Sequence, residues 1–400
     1  MKYKLSEMIN EKWKEKTLGE VTSLITKGIP PKYSEKENKT TIWVLNQKCN
    51  RNFEISYSEA RLHDCSLKKV PENRMLKNGD VLINSTGTGT AGRVAQLHNV
   101  VMPTTIDGHM ILLRPTDEID SLYYGYAIKS FQKQIEALAE GSTGQTEINR
   151  QRLQNEVIIK FPIDKCKQRK ISSFLSNLDK KIKVNIEINK NLEQQAQALF
   201  NQVFPYTLED KLPHNWVIGT VNDVIELHDS KRIPLSGFQR SKMKKRIYPY
   251  YGAASLMDYV DEYIFDGTYL LLGEDGTVVD NQGYPILQYI WGQFWVNNHA
   301  HILTGKRGFN VESLYLLFKR TPVKSIITGA VQPKISQANL KSLKIVIPPE
   351  NAISEFNFTI KPIFSLIRSN QDENKSLSEL KDNLLSKLMS GEIDISNLDI

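Results

Sequence analysis

The feature that most constrains this chain is a direct repeat that runs through almost its whole length. Trp13 and Trp216 open similar segments, and the stretches that begin at Ser142 and Gly329 are also alike. The matched residues include Thr17/Thr220, Glu20/Asp223, Val21/Val224, Gln145/Gln332, Ile148/Ile335, Leu153/Leu340, Ile158/Ile345 and Pro162/Pro349. A repeat of this length repeats its buried and exposed positions, so we expect two similar folded units. The length of 400 residues agrees, because single cores rarely grow beyond roughly 250 to 300 residues.

Each copy runs directly into a long polar stretch whose apolar residues fall alternately four and three apart. The first stretch extends from about Cys166 to Phe204 and the second from about Ala352 to Gly391. This spacing is typical of a coiled-coil seam, and so narrow a stripe must be buried against another helix. The predicted helix-pair interface consists of Leu175, Leu178, Ile182, Asn185, Asn189, Leu192, Leu199, Phe364, Ile367, Gln371, Asn374, Leu377, Leu384 and Leu388. The alternative is two amphipathic helices that each lie on a globular core.

The segments between these helices predict strands. Short runs such as 80–85 (DVLINS) and 268–274 (TYLLLGE) are separated by Gly and Asn turns, and one further helix is predicted from Ser121 to a cap at Gly141. The sequence therefore predicts an α+β fold with two β-rich domains separated by two long coiled-coil helices, and this direct repeat closes with pseudo-two-fold symmetry if the two helices are antiparallel. The expected domains are 1–164 and 205–350, and the expected helices are 165–204 and 351–400. About 35 helical residues would make a rod of roughly 50 Å.

Composition limits the possible classes. The formal net charge of +7 makes an acidic partner such as nucleic acid plausible. Cys49, Cys65 and Cys166 lie far apart without a Cys-x-x-Cys pair, which argues against disulfides and a structural zinc site. The sequence contains no run of eighteen apolar residues, and the amino terminus has no apolar signal region. We therefore expect a cytoplasmic protein.

Several motifs resemble catalytic signatures without completing them. Gly87-Thr-Gly-Thr-Ala-Gly92 has the spelling of a dinucleotide fingerprint, but no helical period follows it, so we expect a strand-to-strand loop. There is no Gly-Lys-Ser/Thr phosphate loop and no Asn/Asp-Pro-Pro-Tyr/Phe tetrad. His299 and His301 lack a recognisable third metal ligand, so we expect a hydrogen-bonded structural pair. The adjacent carboxylates at 274 and 275 could hold a metal, accept a hydrogen bond from cytosine N4 or be solvated.

Basic residues are concentrated in one stretch of the second unit. It contains Lys231, Arg232, Arg240, Lys242, Lys244, Lys245 and Arg246 with no acidic residue among them, and it leads into 248–252 (YPYYG). Lys and Arg side chains neutralise phosphates, whereas Tyr, Asn and Gln reach base edges or stack on bases. A solvated basic surface would give the same pattern.

Together these motifs resemble one family, the specificity subunits of type I restriction-modification systems. The resemblance covers essentially the whole chain and is carried by 249–253 (PYYGA), 271–276 (LLGEDG), 296–303 (VNNHAHIL) and 328–335 (TGAVQPKI). The first unit keeps 80–83 (DVLI) and 92–95 (GRVA) but has TGQTEI at 143–148 in place of the last motif.

The resemblance implies a non-catalytic subunit. Each β-rich domain would be a target-recognition domain that reads one half of a gapped site in double-stranded DNA. The helices would dock two methyltransferase subunits, and the assembly would recruit restriction/translocase subunits. S-adenosylmethionine, ATP and Mg would be used by those partners, and this chain would bind no cofactor or metal. A nucleic-acid enzyme with a divergent site and a coiled-coil protein scaffold are the alternatives.

On this interpretation the DNA-binding residues are polar or basic side chains of the loops. In the first unit they are Lys27, Lys32, Asn84, Thr86, Thr88, Arg93 and Thr104. In the second unit they are Lys231, Arg232, Lys244, Lys245, Tyr250, Tyr251, Glu274, Asp275, Asn297 and Asn298.

Overall fold

The computed structural model describes residues 13–141, 146–329 and 331–395. The chain forms two compact units: unit 1 contains the residues up to Lys183 and those from Glu373 onward, and unit 2 is Val184–Asp372. Gln145, one of the residues matched in the repeat, lies outside the described residues, as does the amino-terminal segment before Trp13. Each long helix contributes residues to both units, and the predicted domain boundaries stay a prediction.

Unit 1 is built from short strands and small helices. The strands are β1 (Trp13–Thr17), β2 (Thr22–Lys27), β3 (Tyr33–Ser34), β4 (Thr41–Leu45), β5 (Asn50–Arg51), β6 (Glu54–Ile55), β7 (Arg61–Asp64), β8 (Val81–Asn84), β9 (Val94–Gln96), β10 (Thr104–Ile106), β11 (Met110–Pro115), β12 (Ala139–Glu140), β13 (Glu147–Ile148) and β14 (Ile158–Pro162). The helices are α1 (Ser121–Ser130), α2 (Gln132–Ala137), α3 (Arg150–Glu156) and the first part of α4 (Lys165–Val203). Two four-stranded sheets have the orders β2-β11-β8-β9 and β10-β4-β7-β3, and β1 pairs with β14.

Unit 2 repeats this plan. Its strands are β15 (Val217–Thr220), β16 (Ile225–Leu227), β17 (Tyr248–Tyr251), β18 (Leu256–Val260), β19 (Phe265–Asp266), β20 (Tyr269–Gly273), β21 (Leu287–Ile290), β22 (Gln293–Val296), β23 (Ala300–Gly305) and β24 (Lys344–Ile347). Its helices are α5 (Val221–Val224), α6 (Gly237–Ser241), α7 (Val311–Lys319), α8 (Gln337–Ser342) and the first part of α9 (Glu350–Ser390). The sheet order β16-β23-β20-β21 reproduces β2-β11-β8-β9, and the β15-β24 pair reproduces β1-β14.

At the centre of each unit lie buried strands whose residues are continuously apolar instead of alternating between apolar and polar. In β8, Val81 and Ile83 pack into a core that includes α1, whereas Leu82 between them packs into a second core with β4 and β10. In β20, Leu270 and Leu272 join a core with α7, whereas Leu271 contacts the residues of β22 and β23. Both faces of these strands are covered, which explains their continuous apolar sequence. The predicted α+β fold class is confirmed.

The predicted helix from Ser121 to Gly141 is shorter than expected. Asp120 caps α1 by accepting hydrogen bonds from the amides of Leu122 and Tyr123 at 3.1 and 3.2 Å. The helix is interrupted at Phe131, α2 follows, and the chain then enters β12, which pairs with β13. Strand pairing at the carboxyl end has therefore overridden the helical spacing of the sequence.

Local signals determine where the two long helices begin and end. The Asp164 carboxylate accepts the amide of Cys166 at 2.8 Å ahead of α4, which ends at Val203, two residues before Pro205. Helix α9 starts directly after a Pro-Pro pair and is followed by Gly391, whose φ of 77° suits a C-terminal cap. Although α4 and α9 are long, no helix among the described residues is long and apolar enough to cross a membrane.

The two long helices pair antiparallel within each unit. In unit 1, Lys381 Nζ lies 2.5 Å from Asp179 Oδ1, and the side-chain amide of Asn374 donates to the carbonyl of Ile182 at 3.3 Å. In unit 2, the amide of Asn189 donates to the Ile367 carbonyl at 3.1 Å. Residue numbers on one helix therefore fall as those on the other rise.

The predicted seam agrees with the observed burial except at one position. Leu175, Asn185, Asn189, Phe364, Ile367 and Leu388 are buried, and Leu178, Ile182, Leu192, Leu199, Asn374, Leu377 and Leu384 are half-buried. Gln371 is exposed, so its place in the seam was predicted wrongly. Asn370 is buried instead, three residues after Ile367, and the half-buried Asn374 follows four residues later.

Candidate nucleic-acid interface

A buried polar network in unit 2 joins the start of the basic segment to the central sheet. The Asp229 carboxylate lies 2.6 Å from His301 Nδ1, accepts the Gln337 side-chain amide at 2.7 Å, and accepts the Ile302 backbone amide at 2.8 Å. Burial alone would raise the pKa of Asp229, but the hydrogen bond and charge of His301, the Ile302 amide and the charge of Arg232 together lower that pKa. Asp229 therefore holds the chain at the point where the basic segment begins.

Two of the predicted DNA-binding residues belong to this network. The Arg232 guanidinium donates to Glu274 Oε2 and to the Ala300 carbonyl, both at 2.7 Å, and lies 3.2 Å from Asp229. Lys334 Nζ lies 3.5 Å from the other oxygen of Glu274. Arg232 and Glu274 thus bind one another within the protein, and their contact with DNA stays a prediction.

Asp229, Glu274 and His301 also have the spacing of a metal-binding group, with ligand atoms within 4.8 Å of one another. Both ring nitrogens of His301 face oxygen atoms, since Nδ1 lies 2.6 Å from Asp229 and Nε2 lies 2.8 Å from the Ile335 carbonyl. The Arg232 guanidinium lies against both carboxylates and supplies the positive charge that a metal ion would bring. The group is therefore better suited to hold loops together than to bind a cation.

The two neighbouring histidines have different surroundings. Strand β23 begins at Ala300, so His299 precedes the strand, and its side chain is 44% exposed, whereas His301 is fully buried. His299 Nδ1 lies 3.5 Å from Asp275, which is longer than a hydrogen bond of ordinary strength. Only His301 therefore has the structural hydrogen bonds expected of the pair.

The basic segment is anchored by an acidic residue outside it. The backbone amides of Lys244, Lys245 and Arg246 donate to the Asp261 carboxylate at 3.0, 2.7 and 2.7 Å. Arg246, at a φ of 47°, turns the chain, and its side chain pairs with Asp258. The side chains at 231, 244 and 245 are exposed. The backbone of 244–246 is therefore fixed, and the exposed lysines at 231, 244 and 245 are of the kind that suits phosphate contacts.

The tyrosines and asparagines of unit 2 divide between the interior and the surface. Tyr250 is buried, and its hydroxyl accepts the Leu235 amide at 3.0 Å. Tyr251 is half-buried, and burial raises the pKa of its hydroxyl. Asn297 is buried and accepts the His299 amide at 2.8 Å, whereas Asn298 is exposed. Tyr250 and Asn297 thus shape the loops, and Asn298 is available to a ligand.

In unit 1 a polar cluster lies where β8 ends. Gln47 donates its side-chain amide to the carbonyl and to the hydroxyl of Thr86, both at 2.6 Å. The same hydroxyl lies 3.1 Å from His109 Nδ1, and the His109 side chain is exposed. Asn84 is fully buried and accepts the Asn50 side-chain amide at 3.1 Å. Thr86 thus holds an exposed ring, and Asn84 supports the loop from inside.

The remaining predicted residues of unit 1 are spread over several loops. The Gly-rich stretch connects β8 to β9, which confirms the expected strand-to-strand loop; Thr88 is exposed there, and Arg93 donates to the Gly89 carbonyl at 3.0 Å. Thr104 is buried and donates to the Met102 carbonyl at 2.8 Å.

The two predicted lysines of this unit differ in their surroundings. Lys32 is exposed, whereas Lys27 forms an ion pair with Glu147. The pKa of Lys27 is lowered, first by burial and then by the charge of Arg150.

The sequence interpretation missed Gln47, His109, His299 as a surface residue, and Lys334. No motif singles these residues out, because they come from separate loops that the fold brings together. The repeat itself held a usable signal, since Ile148 and Ile335 were matched and the residues before them are Glu147 and Lys334.

Two copies of one β-rich unit, each with a polar and basic loop cluster and each attached to paired helices, define a duplicated recognition fold. A family model described as the type I restriction modification DNA specificity domain matches residues 10–194 and again residues 213–379. These segments cover most of the chain, which therefore belongs to the family of type I restriction-modification specificity subunits.

Individual relatives agree with this assignment. A putative type I restriction enzyme specificity subunit from Haemophilus influenzae is 36% identical over 107 residues, which is 27% of either chain. The MjaIX type I restriction enzyme specificity subunit of Methanocaldococcus jannaschii is 24% identical over 86% of this chain and 83% of its own length. The crystal structure of a type I restriction-modification S subunit from M. genitalium has a TM-score of 0.55 at 18% identity, covering 94% of this chain and 96% of that one. This last likeness concerns the fold.

Proposed function

We propose that this chain is the non-catalytic DNA sequence-recognition subunit of a type I restriction-modification complex. Each unit reads one half of a gapped site in double-stranded DNA. The observation that carries the proposal is the duplication: one specificity-domain model matches the chain twice, and the order β2-β11-β8-β9 in unit 1 is repeated as β16-β23-β20-β21 in unit 2. A protein that reads two half-sites needs two such units with different loop side chains.

The paired helices act in this proposal as a spacer. A helix of 39 residues extends about 58 Å, which is longer than one turn of B-DNA at roughly 34–36 Å. A continuous hydrogen-bonded helix is stiffer than a loop. It can therefore hold the two half-site readers at a fixed separation and so define the gap in the DNA site.

The same helices dock two methyltransferase subunits, and the assembly recruits restriction/translocase subunits. This part of the proposal is supported by apolar side chains that the helix pair leaves exposed. They are Val184, Ile186 and Ile188 on α4, and Phe358, Leu366 and Leu380 on α9. A contiguous patch of exposed apolar side chains indicates a protein interface, and Val184 and Ile188 are neighbours one helical turn apart. S-adenosylmethionine, ATP and Mg are used by the partner subunits, and this chain binds none of them.

The test is a map of methylated bases in the host genome before and after deletion of this chain. We expect one bipartite motif with an unspecified central gap to lose methylation. Loss of no such motif would contradict the proposal. The purified chain should neither methylate nor cleave DNA by itself, and turnover without other subunits would favour a nucleic-acid enzyme.

The spacer is tested by inserting one heptad into both helices, after Val184 and after Asp372. Seven residues add about 10 Å and keep the seam on the same face. We expect a longer gap between unchanged half-sites. A heptad in α4 alone is the control, because it should break the pairing. Changed half-sites in the double insertion would count against the spacer.

A further inference from the structure

Both units have the same arrangement of backbone hydrogen bonds at the end of a central strand. We call it the frame, and it consists of residues 85–86, 109 and 147–148 in unit 1 and of 274–275, 299 and 334–335 in unit 2. In unit 1 the Ser85 amide donates to the His109 carbonyl at 2.8 Å, and the Ile148 amide donates to the Ser85 carbonyl at 2.8 Å. In unit 2 the Glu274 amide donates to the His299 carbonyl at 2.8 Å, and the Ile335 amide donates to the Glu274 carbonyl at 2.9 Å. The same three segments therefore meet in the same way in each unit.

Two further contacts complete the correspondence. Thr86 opposes Glu147 in an antiparallel bridge, just as Asp275 opposes Lys334. The His109 amide donates to the Asp107 side chain at 2.9 Å, and the His299 amide donates to the Asn297 side chain at 2.8 Å. The histidine is thus presented by an equivalent turn in both units.

The side chains on this shared frame differ in charge and hydrogen-bonding character. In the backbone bridge of unit 1, Thr86 opposes the acidic residue Glu147, whereas in unit 2 the acidic residue Asp275 opposes the basic residue Lys334. Base edges differ in their hydrogen-bond donors and acceptors. Two domains that recognise different base sequences can therefore share one backbone arrangement, but they need different side chains on it.

In unit 1 the frame presents a hydrogen-bond donor. The Thr86 hydroxyl accepts from Gln47, so its own proton can be donated to His109 Nδ1. In the tautomer that accepts this proton at Nδ1, the N–H of the ring is at Nε2. Since the ring is exposed, this N–H can reach an acceptor on a ligand.

In unit 2 the frame presents an acceptor. Glu274 is held by Arg232 and lies next to Lys334, so it belongs to the framework. Asp275 is 23% exposed, and its distance of 3.5 Å to the His299 ring leaves its oxygens able to accept a shorter bond. Two exposed residues add hydrogen-bond donors that suit phosphate or base contacts. Lys334 opposes Asp275 in the backbone bridge, and Asn298 directly precedes His299.

We propose that these two matched frames are base-reading sites of the chain. His109 donates to a purine acceptor, N7 or guanine O6, in one half-site. Asp275 accepts from an exocyclic amine, cytosine N4 or adenine N6, in the other half-site, and the half-exposed ring of His299 lies beside this carboxylate. This inference rests on the proposed function and deepens it, since it names the residues that distinguish the two half-sites.

The experiment uses the full-length chain assembled with its methyltransferase subunits. Duplexes carry the recognised motif with one half-site position at a time replaced by each other base, and methylation is measured for each duplex. We expect Asp275→Asn to reduce discrimination by about tenfold at one position of one half-site. We expect His109→Ala to do the same at one position of the other half-site only.

Matched variants separate recognition from folding. Glu226→Gln removes the same charge from an exposed strand position in unit 2 and should leave discrimination unchanged. His299→Ala changes a half-exposed ring and should affect the same position as Asp275→Asn, so the inference remains testable if one variant misfolds. Folded variants that keep full discrimination at every position would overturn the inference while the proposed function stands. A wild-type complex without any gapped motif would refute the proposed function itself.

Discussion

The most informative perturbation concerns a pair of asparagines in the helix seam of unit 2. Asn370 donates its side-chain amide to Asn189 Oδ1 at 2.8 Å, and Asn189 donates to the Ile367 carbonyl at 3.1 Å. The two side chains are only 9% and 6% exposed. Replacing either residue by Leu removes part of this buried network, and replacing both removes the pair.

The change in the free energy of unfolding follows from the burial of the new side chain and the hydrogen bonds that are lost. Burying a Leu side chain contributes about 1.5–3 kcal/mol, and each lost hydrogen bond costs about 0.5–1.5 kcal/mol. A single variant also leaves one buried amide group unpaired, at about 1–3 kcal/mol. We therefore expect Asn189→Leu or Asn370→Leu alone to lower the free energy of unfolding by about 1 kcal/mol. The double variant should raise it by about 1 kcal/mol, since no unpaired group remains.

The assay is equilibrium urea unfolding of the full-length chain, analysed as a double-mutant cycle. The expected coupling energy is about 3 kcal/mol. Gln371→Leu is the control, because this neighbouring side chain is exposed and should change stability by less than about 0.5 kcal/mol. Additive effects of the two Leu substitutions would refute the argument that the amides stabilise one another.

The same double variant tests what the polar pair contributes to recognition. A polar seam position restricts register at a cost in stability. We therefore expect the more stable double variant to methylate sites with more than one gap length, and a single unchanged gap length would contradict this.

Two further predictions concern unit 2. Lys244→Ala and Lys245→Ala should weaken DNA binding equally for all sequences and reduce the slope of log K against log salt by about 0.9 each, measured by titration at several salt concentrations; an altered motif would exclude a phosphate role. Asp229→Asn should cost about 3–5 kcal/mol of stability near pH 7, because His301 and Arg232 lose their partner. The lowered pKa of Asp229 means that this contribution is present above about pH 4 and is lost as pH falls through the folded-state value, so wild type and variant should converge in acid unfolding.

Much of the architecture followed from periodicity. The repeat predicted two units of the same plan, and the seam spacing predicted both long helices. Their antiparallel pairing was expected from closing the repeat and from the family resemblance. The errors occurred where two neighbouring residues fit one pattern. Gln371 and Asn370 both lie within a step of three or four from Ile367, and only the rotation of the packed helix decides which one is buried. The interruption at Phe131 likewise depends on the β12-β13 pairing, which helical spacing does not contain.

The candidate site likewise has features that the local sequence predicts and features that depend on tertiary contacts. Sequence alone identified the basic segment and the loop residues Thr86, Glu274 and Asp275, because charge and turn composition are local properties. It did not show that Arg232 and Glu274 neutralise one another inside unit 2, or that Tyr250 is buried. Side chains far apart in the chain meet only after the sheets form, and burial then decides whether a charge faces a ligand or another residue.

For this protein, the sequence by itself determined the number of units, their class and the existence of the paired helices, since these depend on repeated patterns of apolar residues. Only the tertiary structure decided that His109 and His299 occupy matched positions on one backbone frame. That match depends on hydrogen bonds between three separate segments in each unit, and no spacing within a single segment records it.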